Sequence, residues 1–236
     1  MSDKQQSYTL ILPEGDSKVM VYPSLPEKLS LNDTPKEGLS ETNFKKLWSL
    51  HPEEYGTVKM YGNEIATPRW QQTFGQDYYF SGMTHKAVPL EDDFLKTLLA
   101  FVNKHSLKYG LREESEGRSL LEYKQVLVNW YEDGNHYIGK HSDNESQLVP
   151  NSAIYSFSFG QERDFVITSK KSRRDTPSSE SQRDTALQYR KVITMPNNSL
   201  LVMCGEMQKY YKHEVPKRAL SKCPDPRINV TMRLFE

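Results

Sequence analysis

The sequence predicts a mainly β fold with supporting helices (α+β), a sandwich or jelly roll whose sheets are backed by helices. Three observations carry that prediction. Six short apolar-rich runs follow one another after residue 123, each alternating with a period of two and each bounded by turn residues. The first half instead holds two stretches with apolar residues at helical spacing. The 236 residues, 36% hydrophobic and 11% aromatic, are enough for one sizeable core and one domain with an extension.

In chain order, the first forty residues carry Pro13, Pro23, Pro26 and Pro35 among charged residues and one short apolar run, Tyr8 to Leu12. They read as an irregular extension with one or two short strands. Ser40 can cap a helix from Glu41 to Leu50, where Phe44, Leu47 and Trp48 share a face. Val58 to Gly75 reads as extended and loop-rich, punctuated by Gly62, Pro68 and Gly75. Asp92 to His105 is the clearest helix, since Phe94, Leu98, Phe101 and Val102 make one apolar stripe that Leu95 and Leu99 widen. The strands follow at Lys124–Tyr131, Ala153–Phe159, Asp164–Thr168, Leu187–Met195, Ser199–Cys204 and Arg227–Phe235. Between the third and fourth, Ser169 to Arg190 is a polar insertion. Over 170–191 it holds seven basic residues against three acidic ones. A solvated loop is the ordinary reading of such a run, and it is also the best phosphate-contact candidate in the chain.

Lys+Arg 31 against Asp+Glu 31 leaves no net charge, so general attraction to nucleic acid or to an anionic membrane is not indicated and any polyanion site must be local. Cys204 and Cys223 have no zinc-ligand spacing and suit free thiols in a reducing compartment, with a disulfide between them as the alternative. Met1 to Ser7 is polar and no long apolar run follows, which predicts neither a signal peptide nor a membrane span.

The chemistry centres on Asn129 to Glu145, which contains His141-x-Asp143. In extended backbone, residues two apart share a face, so one imidazole and one carboxylate can grip one ion. A second His would complete the two-His-one-carboxylate set that leaves positions open on Fe(II). Of the remaining histidines, His51, His85, His105 and His136 sit in loop, helix-end or turn contexts. His213 follows the apolar strand Ser199–Cys204 in an extended aromatic segment, and is the choice for the third ligand. The last strand places Ile228, Val230, Met232 and Leu234 on one face and Arg227, Asn229, Thr231 and Arg233 on the other. That polar face is either the solvated side of an edge strand or a row of donors for a dicarboxylate, which guanidinium groups bind bidentately. Asn129 and Tyr131 likewise share a face on the strand leading to His141.

With Asn129-x-Tyr131-x-x-Gly134, His141-x-Asp143-x-Glu145, Ser156 to Gly160, Arg163-Asp164-Phe165, Ser199 to Met203, His213 and Arg227-x-Asn229-x-Thr231-x-Arg233 in that order, the chain resembles the AlkB family of Fe(II)- and 2-oxoglutarate-dependent dioxygenases over roughly Val58 to Phe235. It is most similar to the eukaryotic-type nucleic-acid demethylases of that family. The resemblance implies a double-stranded β-helix (jelly roll), with 1–55 as an extension, 56–122 as a nucleotide-recognition lid with its helix, and 123–236 as the catalytic core. It implies that His141, Asp143 and His213 hold Fe(II). Arg227, Asn129 and Tyr131 would bind the distal carboxylate of 2-oxoglutarate, while Asn229 and Arg233, with Thr231 on the same face, would serve the end nearer the metal. With O2, the implied reaction removes methyl groups from bases such as 1-methyladenine and 3-methylcytosine, giving formaldehyde, succinate and CO2.

The resemblance also implies substrate residues. Arg69 lies in Pro68 to Gly75, and Tyr78, Phe80 and Ser81 in Tyr78 to Gly82, both similar to the family's lid, with Phe80 and His141 sandwiching the base. Tyr61 falls where duplex-acting members carry an aromatic wedge, here Tyr rather than Phe. Glu145 matches an acidic pocket residue, and Asn144 stands where close relatives carry an acid. The expected partner is methylated DNA or RNA, with no membrane, the expected state a monomer, and the expected location the nucleus or cytoplasm. The alternatives are the same oxygenase chemistry on a protein or small molecule, or a catalytically silent nucleic-acid-binding module.

Overall fold

The computed structural model describes residues 6–25, 39–60, 62–80, 82–111, 121–170 and 189–236. Tyr61, Ser81 and residues 171–188 of the basic insertion lie outside the described residues. The elements run β1 (Tyr8–Ile11), β2 (Ser17–Tyr22), α1 (Glu41–Trp48), β3 (Thr57–Met60), β4 (Asn63–Ala66), β5 (Trp70–Phe74), β6 (Tyr78–Phe80), β7 (Met83–His85), α2 (Asp93–Lys108), β8 (Gln125–Tyr131) and β9 (Ile138–His141). They continue with β10 (Ile154–Gly160), β11 (Arg163–Ser169), β12 (Arg190–Met195), β13 (Ser199–Gly205), α3 (Met207–Tyr210), β14 (Tyr211–Val215) and β15 (Arg227–Arg233).

The strands form a seven-stranded sheet, β1-β2-β13-β10-β15-β8-β5, facing a four-stranded sheet, β12-β11-β14-β9, with antiparallel neighbours throughout. This is the jelly roll that the period-two runs predict. Two further hairpins, β3–β4 and β6–β7, stand apart from the sheets. β2, in the N-terminal extension, pairs along β13 from Leu200↔Tyr22 to Gly205↔Ser17.

Each face of the large sheet has its own chemistry. Val126, Val128 and Trp130 of β8, Phe157 and Phe159 of β10, and Ile228, Val230 and Met232 of β15 pack on α1 and α2 in one apolar cluster. Both helices start where a side chain caps them: Ser40 Oγ accepts from Asn43 N at 3.2 Å, and Asp92 Oδ1 accepts from Phe94 N and Leu95 N at 3.0 Å. α1 is tied down from below, since the buried Trp130 Nε1 donates to Leu47 O at 3.0 Å. The opposite face looks into the space between the sheets. Toward β2 and β13 that space is apolar, filled by Val19, Val21, Leu201 and Met203 against Phe165, Ile167 and Tyr211. Toward β8 and β15 it is lined instead by Asn129, Arg227, Asn229 and Arg233, all buried.

The solvated-edge reading of the last strand does not hold. β15 lies between β10 and β8, with Arg227↔Tyr131 and Asn229↔Asn129 in register, so its polar face is interior. Three buried polar side chains on a central strand need partners or a ligand, because desolvation without either is unfavourable.

Candidate metal and dicarboxylate site

His213 on β14 is paired directly with His141 at the end of β9, which sets their rings 4.2 Å apart between centroids. Asp143 follows two residues on, and one donor atom from each of the three residues lies within 4.8 Å of the others. Asp143 Oδ2 is 3.5 Å from His213 Nε2. His141 Nδ1 donates to Gly139 O at 2.9 Å, which fixes the tautomer and leaves Nε2 with its lone pair. The His213 ring stacks on Phe165 at 5.2 Å. Burial pushes both imidazoles down, His213 to about 3, so they are neutral near pH 7, as metal ligands must be. Burial alone would raise Asp143, but the charge of the Arg233 guanidinium outweighs it and holds the carboxyl below its ordinary range. Two neutral imidazoles and one carboxylate, converging and open on one side, can hold a divalent ion with positions to spare.

A cavity of about 490 Å³, counting its open mouth, runs from these residues along β8 and β15, past Asn129, Tyr131, Arg227 and Thr231. Arg227 forms its far end and is 2% exposed. Its Nη2 donates to Ser158 Oγ at 2.9 Å, and the Tyr131 ring lies 5.0 Å from the guanidinium. Among the described residues its buried Nε and Nη1 have no partner. A buried cation with two idle donors is the expected form of an anion site before its ligand arrives. Asn129 Oδ1 accepts from Arg69 Nε at 2.7 Å, leaving its NH2 as the group it can offer a ligand.

At the other end Arg233, 3% exposed, has Nη1 3.2 Å from Asp143 Oδ1 and forms a short ion pair with Glu145. Glu145, Asp143 and Tyr78 together hold this guanidinium charged against its burial. Among the described residues its Nε and Nη2 have no partner. Asn229 is differently occupied: Nδ2 donates to Ser156 Oγ at 2.9 Å and Phe157 O at 2.7 Å, and Oδ1 accepts from Thr231 Oγ1 at 3.0 Å. Both its amide protons are committed within the protein.

The residues expected in the lid are placed unevenly. Arg69 is buried behind Asn129 and also donates to Gln71 Oε1 at 3.1 Å. Tyr78 covers the Arg233 guanidinium at 4.9 Å, Phe80 is half-buried on the same hairpin, and Asn144 is exposed. Glu145 is buried under Arg233, its Oε2 without a partner among the described residues and its pKa raised by burial.

Three residues have parts that the sequence reading did not assign: His85 and Arg163, which it named, and Gln208, which it did not. His85 stacks on Tyr78 at 4.8 Å, its buried Nε2 without a partner among the described residues, beside a cleft lined by Gln71, Thr73 and Leu127. The β6–β7 register sets Tyr78 opposite His85, so hairpin pairing could have revealed it. Arg163 donates to Asp133 O, His136 O and Pro216 O at 2.8–3.1 Å and clamps the turn before His141 to the chain after His213. In that turn, Gly134 has no room for a Cβ, which would meet Arg218 O at 2.5 Å. Gln208, on α3, accepts from Asp143 N at 2.9 Å, and no local pattern points to it.

Comparison with known proteins agrees with this geometry. The family described as the 2OG-Fe(II) oxygenase superfamily matches residues 18–233, from β2 to the end of β15. DNA oxidative demethylase ALKBH2 of Homo sapiens is 34% identical over 181 residues, 75% of this chain and 60% of that protein. That of Mus musculus is 34% identical over 181 residues, 75% and 65%. Alpha-ketoglutarate-dependent dioxygenase alkB homolog 3 of Mus musculus is 32% identical over 234 residues, 98% and 71%. The chain therefore spans less than two thirds of these ALKBH2 proteins, and more of alkB homolog 3. With a matched span that contains His141, Asp143, His213 and both arginines, the chain belongs to the 2OG-Fe(II) oxygenase superfamily, as one of its AlkB-like members.

Proposed function

We propose that the chain is an Fe(II)- and 2-oxoglutarate-dependent dioxygenase that removes N-methyl groups from nucleic-acid bases, 1-methyladenine and 3-methylcytosine among them. The observation that carries the reading is Arg227, a buried cation with two idle donors, at the far end of the cavity that begins at His141, Asp143 and His213. A dicarboxylate reaching from a metal to Arg227 satisfies both ends at once.

His141, Asp143 and His213 would hold the iron. Arg227 would take the far carboxylate bidentately, with the Asn129 NH2 and Tyr131 beside it, and Arg69 keeps that NH2 turned to the cavity by occupying Oδ1. Arg233 would serve the near end with its unpartnered donors, while Asn229 acts through Ser156 and Thr231. Once bound, iron, 2-oxoglutarate and O2 supply the oxidation of the methyl carbon, from which formaldehyde, succinate and CO2 result. The chain's own contribution is to position the groups and exclude water.

Substrate assignment rests on the names of the relatives and on the β6–β7 hairpin. Tyr78 and Phe80 would stack the base, and their π-faces would favour a cationic methylated one. Arg190 and Lys212, exposed on either side of Thr168 on the outer face of the small sheet, give a neutral chain a local basic surface for phosphates. A monomer is the proposed state. Cys204 and Cys223, free and buried, fit the nucleus or cytoplasm. Among the described residues no helix is long and apolar enough to cross a membrane.

The test is formaldehyde release from oligonucleotides carrying 1-methyladenine or 3-methylcytosine, in DNA and RNA, by purified protein with Fe(II) and 2-oxoglutarate. Release matching succinate formation is expected. No release from any of them refutes the proposal.

A further inference from the structure

We infer that Gln208 is a positioning residue for the metal ligand Asp143. β9 ends at His141, whose ladder partner is His213, so Asp143 lies beyond the paired strands with its backbone buried. A buried N–H that has lost its strand partner must find another acceptor. It finds a side chain, Gln208 Oε1, at 2.9 Å.

The donor and acceptor ends of that amide are not interchangeable. Gln208 Nε2 points at Met203 Sδ, 3.4 Å away, and a flipped amide would set its NH2 against the Asp143 N–H, donor to donor. The turn that carries Gln208 is itself anchored. Lys170 Nζ donates to Gln208 O at 2.7 Å, Lys170 N to Tyr210 O at 2.7 Å, and Glu206 N to Asp16 O at 2.9 Å. Next to Asp143, Ser142 Oγ donates to Tyr211 O at 2.8 Å. These bonds stitch residues 142 and 143 to the segment that leads into His213, so two ligands that are far apart in sequence are held by one short turn. Gln208 sits behind Asp143 and acts on the metal through the backbone of its ligand. Its effect is on where the carboxylate stands between His213 Nε2 and Arg233 Nη1.

The inference rests on Asp143 being a ligand, and the test separates the two claims. Mn(II) is titrated into the metal-free full chain by calorimetry for wild type, D143A, Q208M and Q208E, with thermal unfolding of each metal-free protein as the control. Met keeps the length of Gln without an amide acceptor, whereas Glu keeps an acceptor oxygen. Q208M should bind Mn(II) about tenfold to a hundredfold more weakly, the range for losing a group that orients a ligand. The KM for Fe(II) should rise in step while kcat at saturating iron stays near wild type, and Q208E should bind Mn(II) close to wild type. Wild-type Mn(II) affinity in Q208M, or equal weakening in Q208E, overturns the inference while a D143A defect leaves the ligand assignment standing. Wild-type affinity in D143A overturns the ligand assignment and the inference with it. Should Q208M fail to fold, Q208A makes the same prediction without added bulk.

Discussion

Arg227→Met offers a prediction whose sign reverses when ligand is added. Without ligand, the Arg227 guanidinium is 2% exposed and donates to Ser158 through Nη2, while Nε and Nη1 have no partner among the described residues. Burial pulls its pKa down, the mark of a charge held against its solvation. Met fills nearly the same space with no charge, and exchanging an incompletely satisfied buried ion for an apolar side chain is commonly neutral or stabilising. The ligand-free R227M protein should therefore be at least as stable as wild type. With 2-oxoglutarate present, the same substitution strands the far carboxylate in a low-dielectric cavity. Truncating one partner of such a buried charge pair costs about 2–5 kcal/mol. That is about thirtyfold to five-thousandfold in Kd. Calorimetric titration of 2-oxoglutarate into Mn(II)-loaded protein gives the Kd, and urea unfolding without ligand gives the stability. An unchanged Kd would refute the cosubstrate assignment. A much less stable ligand-free variant would instead make Arg227 a structural residue.

Arg233 predicts the opposite balance, because it already neutralises Asp143 and Glu145. R233Q should lower stability in urea at neutral pH by about 3–5 kcal/mol by leaving two buried carboxylates together, and E145Q should recover part of that loss in the double variant. His105 bridges the Tyr22 and Tyr155 hydroxyls, and burial takes its pKa to about 4. Its unfolded value near 6.5 is higher, so stability is intact above about pH 6.5 and falls as pH drops toward 4. In H105Q the pH slope of unfolding over that window should shrink by up to one proton, and an unchanged slope would contradict it. F80A should weaken methylated oligonucleotide binding, read by fluorescence anisotropy, by about 1–3 kcal/mol while leaving 2-oxoglutarate affinity alone.

The strands were legible because burial on a pleated surface imposes period two, and β8, β10, β13 and β15 appear within a residue or two of the expected runs. The faces of β15 were legible for the same reason. Its place at the centre of the sheet was not, since alternation is the same for an edge and an interior strand. That His213 would stand opposite His141 depends on β14 pairing with β9 across some seventy residues of chain, which no local pattern encodes. The bonding of Asn229, Arg69 and Glu145 was likewise hidden. Residue type and spacing reveal that a polar group faces inward, but only the packed neighbours decide whether its hydrogen bonds go to a ligand or to the protein. Gln208 is the extreme case, a side chain on the four-residue α3 whose partner is a backbone N–H.

The most direct measurement is the mass of methylated oligonucleotides, single-stranded and duplex, DNA and RNA, after incubation with the protein, Fe(II), 2-oxoglutarate and O2. A nucleic-acid demethylase removes one methyl group from at least one of these substrates for each succinate formed, and D143A removes none. Succinate formed while every oligonucleotide keeps its methyl group would contradict the substrate. No succinate under any condition would contradict the oxygenase itself.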